Sequence, residues 1–295
     1  MEATIPIREI SRLTGVNSVT LRAWERRYGL IKPLRTNKGH RLYRPEDVEL
    51  IKKIQTWLAR GLAIGKVSEL LESGSQAAAV NIENTWQVFH DELLAIMGEL
   101  NLGKLDAFFN QLFSVYPAAI IADQLITPAL DNLSQNAFGS SVKKSILTNR
   151  LSEYLLMLTQ RQRQLAVGKR LAIVQLTSAI DPLLNVLLHF GLIMSQFKSE
   201  VIGLVSANEI VFAVEQLQLD GLIVYNDSCA SLGEFQRELA LVARRISVPI
   251  VMGGKLIEVL NADIGTQIHL SVDAGQQAIH DEVNKLFVDG NEEVS

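Results

Sequence analysis

The stretch from residue 16 to residue 44 constrains what this chain can fold into more than any other segment. Within it, Leu21, Trp24 and Tyr28 lie three and four residues apart, which puts their side chains on one face of a helix. Gly29 follows directly and suits the left-handed backbone position just past a helix end. The spacing therefore predicts a short helix that ends at Tyr28 and packs its apolar face against a neighbour.

The same segment carries positive charge on surfaces that this packing leaves free. Arg22 and Arg26 are four residues apart and share a face distinct from the apolar one. Residues 35–43 place the loop signature Asn37-Lys38-Gly39 between two short extended arms, as in a hairpin. Gly15 supplies the turn from an earlier apolar-periodic helix. A turn, a basic helix and a basic hairpin together predict a winged helix-turn-helix that contacts DNA.

The charge distribution separates the N-terminal part from the rest. Residues 1–75 hold 14 Lys and Arg against 8 Asp and Glu, a net of +6, whereas the whole chain has a net of −4, so the remainder carries −10. A basic N-terminal region followed by an acidic remainder concentrates the electrostatic attraction for phosphate in the N-terminal region. A solvated charged surface would show the same net charge, so the motif decides in favour of DNA.

Residues 5–71 resemble the DNA-binding domain of the MerR family of bacterial transcription regulators. The matching residues are Val16 to Arg22 in the recognition helix, Arg26-Arg27-Tyr28-Gly29-Leu30 with Pro33 and Arg35 at its exit, and Gly39-His40-Arg41-Leu42-Tyr43 in the wing. Trp24 and His40 each stand where a tyrosine is common in the family. Both replacements resemble the branch with cobalamin-binding-like domains, which includes light-responsive repressors and regulators of curli and biofilm genes.

The resemblance implies a sequence-specific transcription regulator that acts as a dimer or higher oligomer on double-stranded promoter DNA, together with RNA polymerase. The residues it assigns to DNA are Ser18, Thr20, Arg22, Trp24, Arg26 and Arg27 on the helix and Lys38, His40, Arg41 and Tyr43 on the wing. Trp24 and Tyr28 can also be core residues. Which side chains read bases stays undecided, because most protein–DNA hydrogen bonds go to the backbone.

Residues 76–166 show helical periodicity and almost no strand pattern, and the segment 73–76 is typical of a hinge. Four helices are predicted, near residues 83–100, 104–115, 118–134 and 141–164. They resemble the helical bundle that covers cobalamin in the related sensors. Trp86 and His90 are candidate ligand contacts, although isolated aromatic residues in a bundle are more often core or surface.

Residues 167–295 have a different sequence pattern, in which short apolar runs alternate with helical patterns. The runs are 171–176, 201–205, 221–225, 248–252 and 266–270. This alternation predicts a parallel sheet with helices on both faces, in a doubly wound, flavodoxin-like α/β domain. The chain is thus predicted to be multidomain, with a winged helix-turn-helix domain over 1–75, a helical bundle over 76–166 and the α/β domain over 167–295.

The α/β domain resembles the Rossmann-type cobalamin-binding domain, whose pattern is Asp-x-His-x-x-Gly, then Ser-x-Leu, then Gly-Gly. Leu183 stands where the cobalt-ligating histidine belongs, and Val186 replaces the glycine. A leucine offers cobalt no lone pair, so no cofactor is predicted. The candidate ligand-binding residues at the strand ends are Asp181, Asp227, Ser228, Gly253 and Gly254. The alternatives are cobalamin bound in another mode, a different small ligand, and a structural domain for oligomerisation.

The loss of the histidine favours an activator over a cobalamin-dependent repressor or photosensor. A cofactor-binding enzyme is the alternative from another class, but no Gly-x-Gly-x-x-Gly, Walker loop, Gly-x-Ser-x-Gly or metal-spaced cluster is present. The single cysteine, Cys229, cannot form a thiolate metal site and fits a reducing cytoplasm. No long apolar stretch or secretion signal is visible, so a cytoplasmic protein without membrane contact is expected.

Overall fold

The computed structural model describes residues 4–73, 85–135, 137–178, 180–260 and 267–288. The chain divides into two compact units, Met1–Leu151 and Ser152–Ser295. The first unit contains the predicted winged helix-turn-helix and most of the predicted bundle. The hinge predicted over 73–76 lies outside the described residues beyond Ser73.

The N-terminal part of the first unit combines four helices with a small sheet. Its helices are α1 (Ile7–Thr14), α2 (Ser18–Tyr28), α3 (Pro45–Ala59) and α4 (Ile64–Ser73), and its strands are β1 (Ile5–Pro6), β2 (Leu34–Arg35) and β3 (Arg41–Tyr43). The strands pair antiparallel in the order β1-β3-β2. The predicted hairpin is present as β2 and β3, whereas β1 is too short to produce a periodic sequence pattern.

Local hydrogen bonds explain where the recognition helix α2 begins and ends. The side chain of Asn17 accepts from the backbone N–H groups of Val19 and Thr20 at 2.9 and 2.8 Å. Gly29 ends the helix with φ +62°, and Gly15 makes the turn before it with φ +68°. Both glycines hold left-handed conformations that a side chain would strain. The boundaries of α2 are therefore encoded locally.

Helices form the remainder of the first unit and continue into the second. They are α5 (Thr85–Glu99), α6 (Leu102–Val115), α7 (Ala118–Ile121), α8 (Thr127–Leu133) and α9 (Ser140–Arg163). The helix predicted over 118–134 is interrupted by a π-helical segment, Ala122–Ile126. Trp86 is a core residue, because its Nε1 donates to the Leu58 carbonyl at 2.7 Å and its ring packs on Tyr116 with centroids 5.0 Å apart.

The second unit is an α/β fold built on a five-stranded sheet. Its strands are β4 (Arg170–Gln175), β5 (Lys198–Leu204), β6 (Gly221–Tyr225), β7 (Ile250–Gly253) and β8 (Ile268–Leu270). Its helices are α10 (Pro182–Met194), α11 (Ala207–Leu217), α12 (Leu232–Arg245) and α13 (Gln276–Phe287), with a 3₁₀ turn at Lys255–Val259. All strand pairs are parallel, in the order β5-β4-β6-β7-β8. This is the flavodoxin-like order 2-1-3-4-5, which confirms the predicted fold class.

None of the helices in the described ranges is long and apolar enough to cross a membrane.

Candidate nucleic-acid interface

The recognition helix and the hairpin present most of the predicted DNA-contacting side chains to solvent. Arg22, Arg26, Arg27, Lys38 and His40 are exposed, while Ser18 and Arg41 are half-buried. Among the described residues, none of the three exposed arginines of α2 forms an ion pair. Their guanidinium groups are therefore available to phosphate oxygens or base edges.

Glu25 ties the hairpin to the recognition helix. Its carboxylate accepts from Arg35 Nη2 at 2.7 Å and from the Nε of Arg41. Burial acts to raise the pKa of Glu25, but the hydrogen bonds from Arg41 and Arg35 outweigh it and leave the pKa below its ordinary value. Glu25 thus stays ionised at neutral pH and holds β2 and β3 at a set position beside α2. Arg41 has a positioning contact in addition to its predicted contact with DNA.

Three predicted DNA contacts are corrected, because their side chains lie in the interior. Thr20, Trp24 and Tyr43 are each 0% exposed. Burial, followed by the nearby Glu25 carboxylate, raises the pKa of Tyr43 to about 12. Trp24 Nε1 donates to the Val115 carbonyl of α6 at 2.8 Å. These three residues shape the domain beneath the surface instead of reaching DNA from it.

The carboxyl ends of β4, β6 and β7 meet at the second candidate site, where Asn226 forms a closed hydrogen-bond network. Asn226 is fully buried, and its Oδ1 accepts from the Leu176 N–H at 3.0 Å. Its Nδ2 donates to the carbonyls of Leu176 and Ser178, each at 2.9 Å. Its backbone N–H donates to Gly253 O at 3.2 Å. The amide therefore joins the loop after β4 to β6 and β7.

The predicted ligand-binding residues at this edge are engaged in the same local structure. Asp181 caps α10 by accepting from the Leu183 N–H at 3.1 Å. Asp227 Oδ1 accepts from the Lys255 N–H at 3.1 Å, and the Ser228 carbonyl accepts from the Ser178 hydroxyl. Gly254 has φ +87°, and a Cβ there would collide with the Asn226 carbonyl. A Cβ on Gly253 would collide with Ile279. The structure gives all five residues structural roles.

The residues around Leu183 do not fit a histidine-ligated cobalamin. Leu183 is fully buried, and the neighbouring Asn185 Oδ1 accepts from Gln175 Nε2 at 2.6 Å. Gln276 Nε2 donates to the Leu184 carbonyl at 2.8 Å. These bonds join α10 to β4 and α13, and the position of the ligand histidine holds only aliphatic carbon. Within the described residues there is also no group of three His, Cys, Asp or Glu that could hold a metal ion.

Comparison with known proteins identifies the N-terminal region. Residues 5–74 match the family described as MerR HTH family regulatory protein. The N-terminal region is a MerR-family helix-turn-helix domain. The resemblance inferred from the recognition helix and the wing is thereby confirmed.

The chain is similar in sequence to proteins named as transcription regulators. The chain is 36% identical over 126 residues to the HTH-type transcriptional regulator MlrA of Escherichia coli (strain K12), covering 43% of this chain and 50% of that protein. It is 25% identical over 143 residues to the HTH-type transcriptional repressor CarH of Myxococcus xanthus, covering 45% of this chain and 48% of that protein. The chain thus spans about half the length of the curated relatives it matches.

Among solved structures, the chain resembles a novel cobalamin-binding protein from Desulfitobacterium hafniense DCB-2. The TM-score is 0.34 at 15% identity, and the match covers 67% of this chain and 98% of that one. The parallel strand order of the second unit is what identifies its fold.

Sequence reasoning missed two residues that organise these sites. Glu25 is the one acid within the basic helix of the MerR-type domain, between Arg22 and Arg26. Its position among cations was a usable signal for an ion pair. Asn226 directly follows an apolar strand, but nothing in the sequence indicates that its amide turns inward.

Proposed function

We propose that this protein is a sequence-specific transcription regulator that binds promoter DNA as a dimer through α2 and the wing. The observation that carries the proposal is the set of exposed arginines on α2, Arg22, Arg26 and Arg27, none with an ion-pair partner among the described residues. Glu25 sets the wing beside them. Unpaired cations on a helix suited to the major groove are what duplex DNA requires. The MerR-family match over residues 5–74 supports the same role.

The proposed dimer predicts the form of the DNA target. A two-fold symmetric protein meets two half-sites, so the operator is expected to be a near-palindrome. We propose that the protein acts with RNA polymerase at the promoter, in the cytoplasm where the DNA lies, and that it activates transcription. In this proposal the α/β unit contributes ligand sensing or oligomerisation without histidine-ligated cobalamin, because Leu183 supplies no donor atom.

The test is selection of bound duplexes from a random pool with the full chain, followed by affinity measurements at several salt concentrations. We expect a symmetric motif to be enriched and the affinity to fall steeply with salt, as counterion release requires. Arg22→Ala and Arg41→Ala should each weaken binding. Failure to enrich any motif, or an affinity unchanged from the wild type in both variants, would refute the assignment of α2 and the wing.

The cobalamin part of the proposal has its own measurement. Titration of the protein with cobalamins, followed by absorbance in light and dark, should show no saturable change. A saturable spectral change would mean that the α/β unit binds the cofactor in a mode that does not use Leu183, and it would favour a repressor or photosensor.

A further inference from the structure

A cavity of about 290 Å³ lies between the recognition helix and the helices α4, α5 and α6. Its walls include the aromatic side chains of Tyr28, Phe89, Phe108 and Tyr116, and Arg27 and Gln111 also line it. We call it the α2–α6 cavity. Ligand sites are concave and mostly apolar, with a few polar groups that fix orientation, and they begin at about 300 Å³. The volume of this cavity is close to that lower limit, and most of its lining residues are aliphatic or aromatic.

Three of the aromatic side chains that line the cavity, Phe89, Phe108 and Tyr116, pack in edge-to-face pairs. Phe89 meets Tyr116 with centroids 5.6 Å apart at 78°, and it meets Phe108 at 6.2 Å and 77°. Such pairs are the favoured geometry of aromatic packing. A flat ring from a ligand would extend the cluster.

The polar side chains lining the cavity are positive or neutral, and two of them, Arg27 and Gln111, have no side-chain partner among the described residues. Arg27 and Gln111 are exposed, and neither side chain makes a hydrogen bond or ion pair with another described residue. No lining residue is acidic. Burial raises the pKa of Tyr116 to about 12, so this wall is uncharged at neutral pH. A free guanidinium beside an apolar cavity is suited to a carboxylate.

We infer that the α2–α6 cavity binds a small aromatic carboxylate. Its ring lies among Phe89, Phe108 and Tyr116, and its carboxylate pairs with Arg27 and accepts from the Gln111 amide. The cavity accommodates one ring with a short acidic arm, because its volume is at the lower limit for ligand sites.

The position of the cavity links such a ligand to DNA binding, a consequence that rests on the function proposed above. Arg27 is both a predicted DNA contact and a lining residue. Val115 also lines the cavity, and its carbonyl holds Trp24 of the recognition helix at 2.8 Å. A carboxylate on Arg27 removes one cation from phosphate, so the ligand weakens DNA binding. By thermodynamic reciprocity, DNA weakens ligand binding by the same factor.

The direct test uses 4-fluorophenylacetate as the probe and its neutral amide, 4-fluorophenylacetamide, as the matched compound. Fluorine NMR line broadening is followed as the full-length protein is titrated into each. We expect saturable binding of the acid and binding of the amide that is weaker by about tenfold, the lower end of what one hydrogen bond to a charged group contributes. No saturable broadening, or equal binding of acid and amide, would overturn the inference.

Two variants and one control locate the site. Arg27→Ala should remove the preference for the acid, and Gln111→Trp should block the cavity and abolish binding of both compounds. Arg26→Ala deletes a neighbouring exposed arginine that does not line the cavity, so it should bind the probe as the wild type does. Binding that survives both cavity variants, or that is lost equally in Arg26→Ala, would place the probe elsewhere.

The regulatory consequence is measured as the ratio of DNA affinities with and without saturating probe. We expect a ratio of about ten in the wild type and about one in Gln111→Trp. A protein that binds the probe but no DNA would refute the proposed function and leave the cavity assignment standing. A protein that binds DNA but not the probe would refute the cavity assignment alone.

Discussion

Two regions are predicted from family motifs to be binding sites: the recognition surface, formed by the exposed side chains of α2 and the wing, and the carboxyl edge of the β-sheet. The structure shows opposite pairing of the polar side chains in the two regions. On α2, the exposed arginines make no ion pairs among the described residues. At the sheet edge, Asp181, Asp227 and Asn226 satisfy backbone groups of their own unit. One region has polar groups to offer a partner, whereas the other uses them internally.

The comparison teaches that a family motif indicates where to look for a site, and that the internal pairing of its polar atoms decides how many of them are left to offer a partner. A buried polar group that already has its partners stabilises the fold and gains nothing from a ligand. Space is used internally in the same way. The absence of a Cβ atom at Gly253 and at Gly254 makes room for Ile279 and Asn226 of the protein itself.

The largest expected effect at the carboxyl edge of the sheet comes from replacing Asn226. Asn226→Ala leaves the Leu176 N–H and the carbonyls of Leu176 and Ser178 without this partner. We expect the free energy of unfolding of the α/β unit to fall by about 3 kcal/mol or more, because each buried polar group that loses its hydrogen-bond partner costs roughly 1–3 kcal/mol. Urea unfolding followed by circular dichroism measures this. Ser228→Ala is the control, because Ser228 contributes its backbone carbonyl; equal midpoints for the two variants would contradict the closed edge.

Burial in the α/β unit also predicts a dependence of stability on pH. His280 lies on α13 against Gly191 of α10, and burial lowers its pKa from 6.5 to about 4. Between these values the unfolded chain binds more protons than the folded one, so stability falls as the pH drops from about 6.5 towards 4. The loss should reach roughly 3 kcal/mol.

The measurement is urea unfolding at pH 7 and at pH 4.5 for the wild type and for His280→Gln. The variant should lose less stability on acidification. Part of the dependence should remain, because burial also lowers the pKa of His189. An identical loss in both proteins would show that His280 is not protonated on unfolding.

On the recognition surface, Arg22→Ala should act on DNA binding and leave stability nearly unchanged, since Arg22 is exposed. We expect a loss of about 1–3 kcal/mol in binding free energy if it meets a base, or a salt slope smaller by about 1 if it meets phosphate. Fluorescence anisotropy with the selected duplex distinguishes the two. Lys104→Ala, which removes an exposed cation of α6 paired with Glu99, is the control for overall charge.

The smallest effect on DNA binding is expected at Glu25, which forms ion pairs within the recognition surface. Glu25→Gln removes the charge that holds Arg35 and Arg41. Freed cations should raise the affinity for non-specific duplex. A less fixed wing should lower discrimination by a factor of ~3, since ion pairs near the protein surface contribute about 0.2–1 kcal/mol. Competition between selected and scrambled duplexes measures the ratio. An increased ratio would mean that Glu25 does not position the wing.

Much of the fold could be predicted because its signals are local. The predicted run 221–225 has the same bounds as β6. The recognition helix ends at Tyr28, as predicted, and Gly29 is its C-cap. The strand β1 was missed, since two residues form no period. The π-helical segment Ala122–Ile126 was missed as well, because its apolar residues follow an ordinary helical pattern.

The sequence by itself determined most of the helices and strands, the MerR-type domain and the absence of a histidine at Leu183, because each follows from residue type and short spacing. Only the tertiary structure decided which polar groups are free. Glu25 meets Arg41 across 16 residues, Asn226 meets Leu176 across 50, and Trp24 meets Val115 across 91. Such contacts leave no periodic trace in the chain, since they arise only when distant segments pack. Availability for binding is therefore a property of the folded protein.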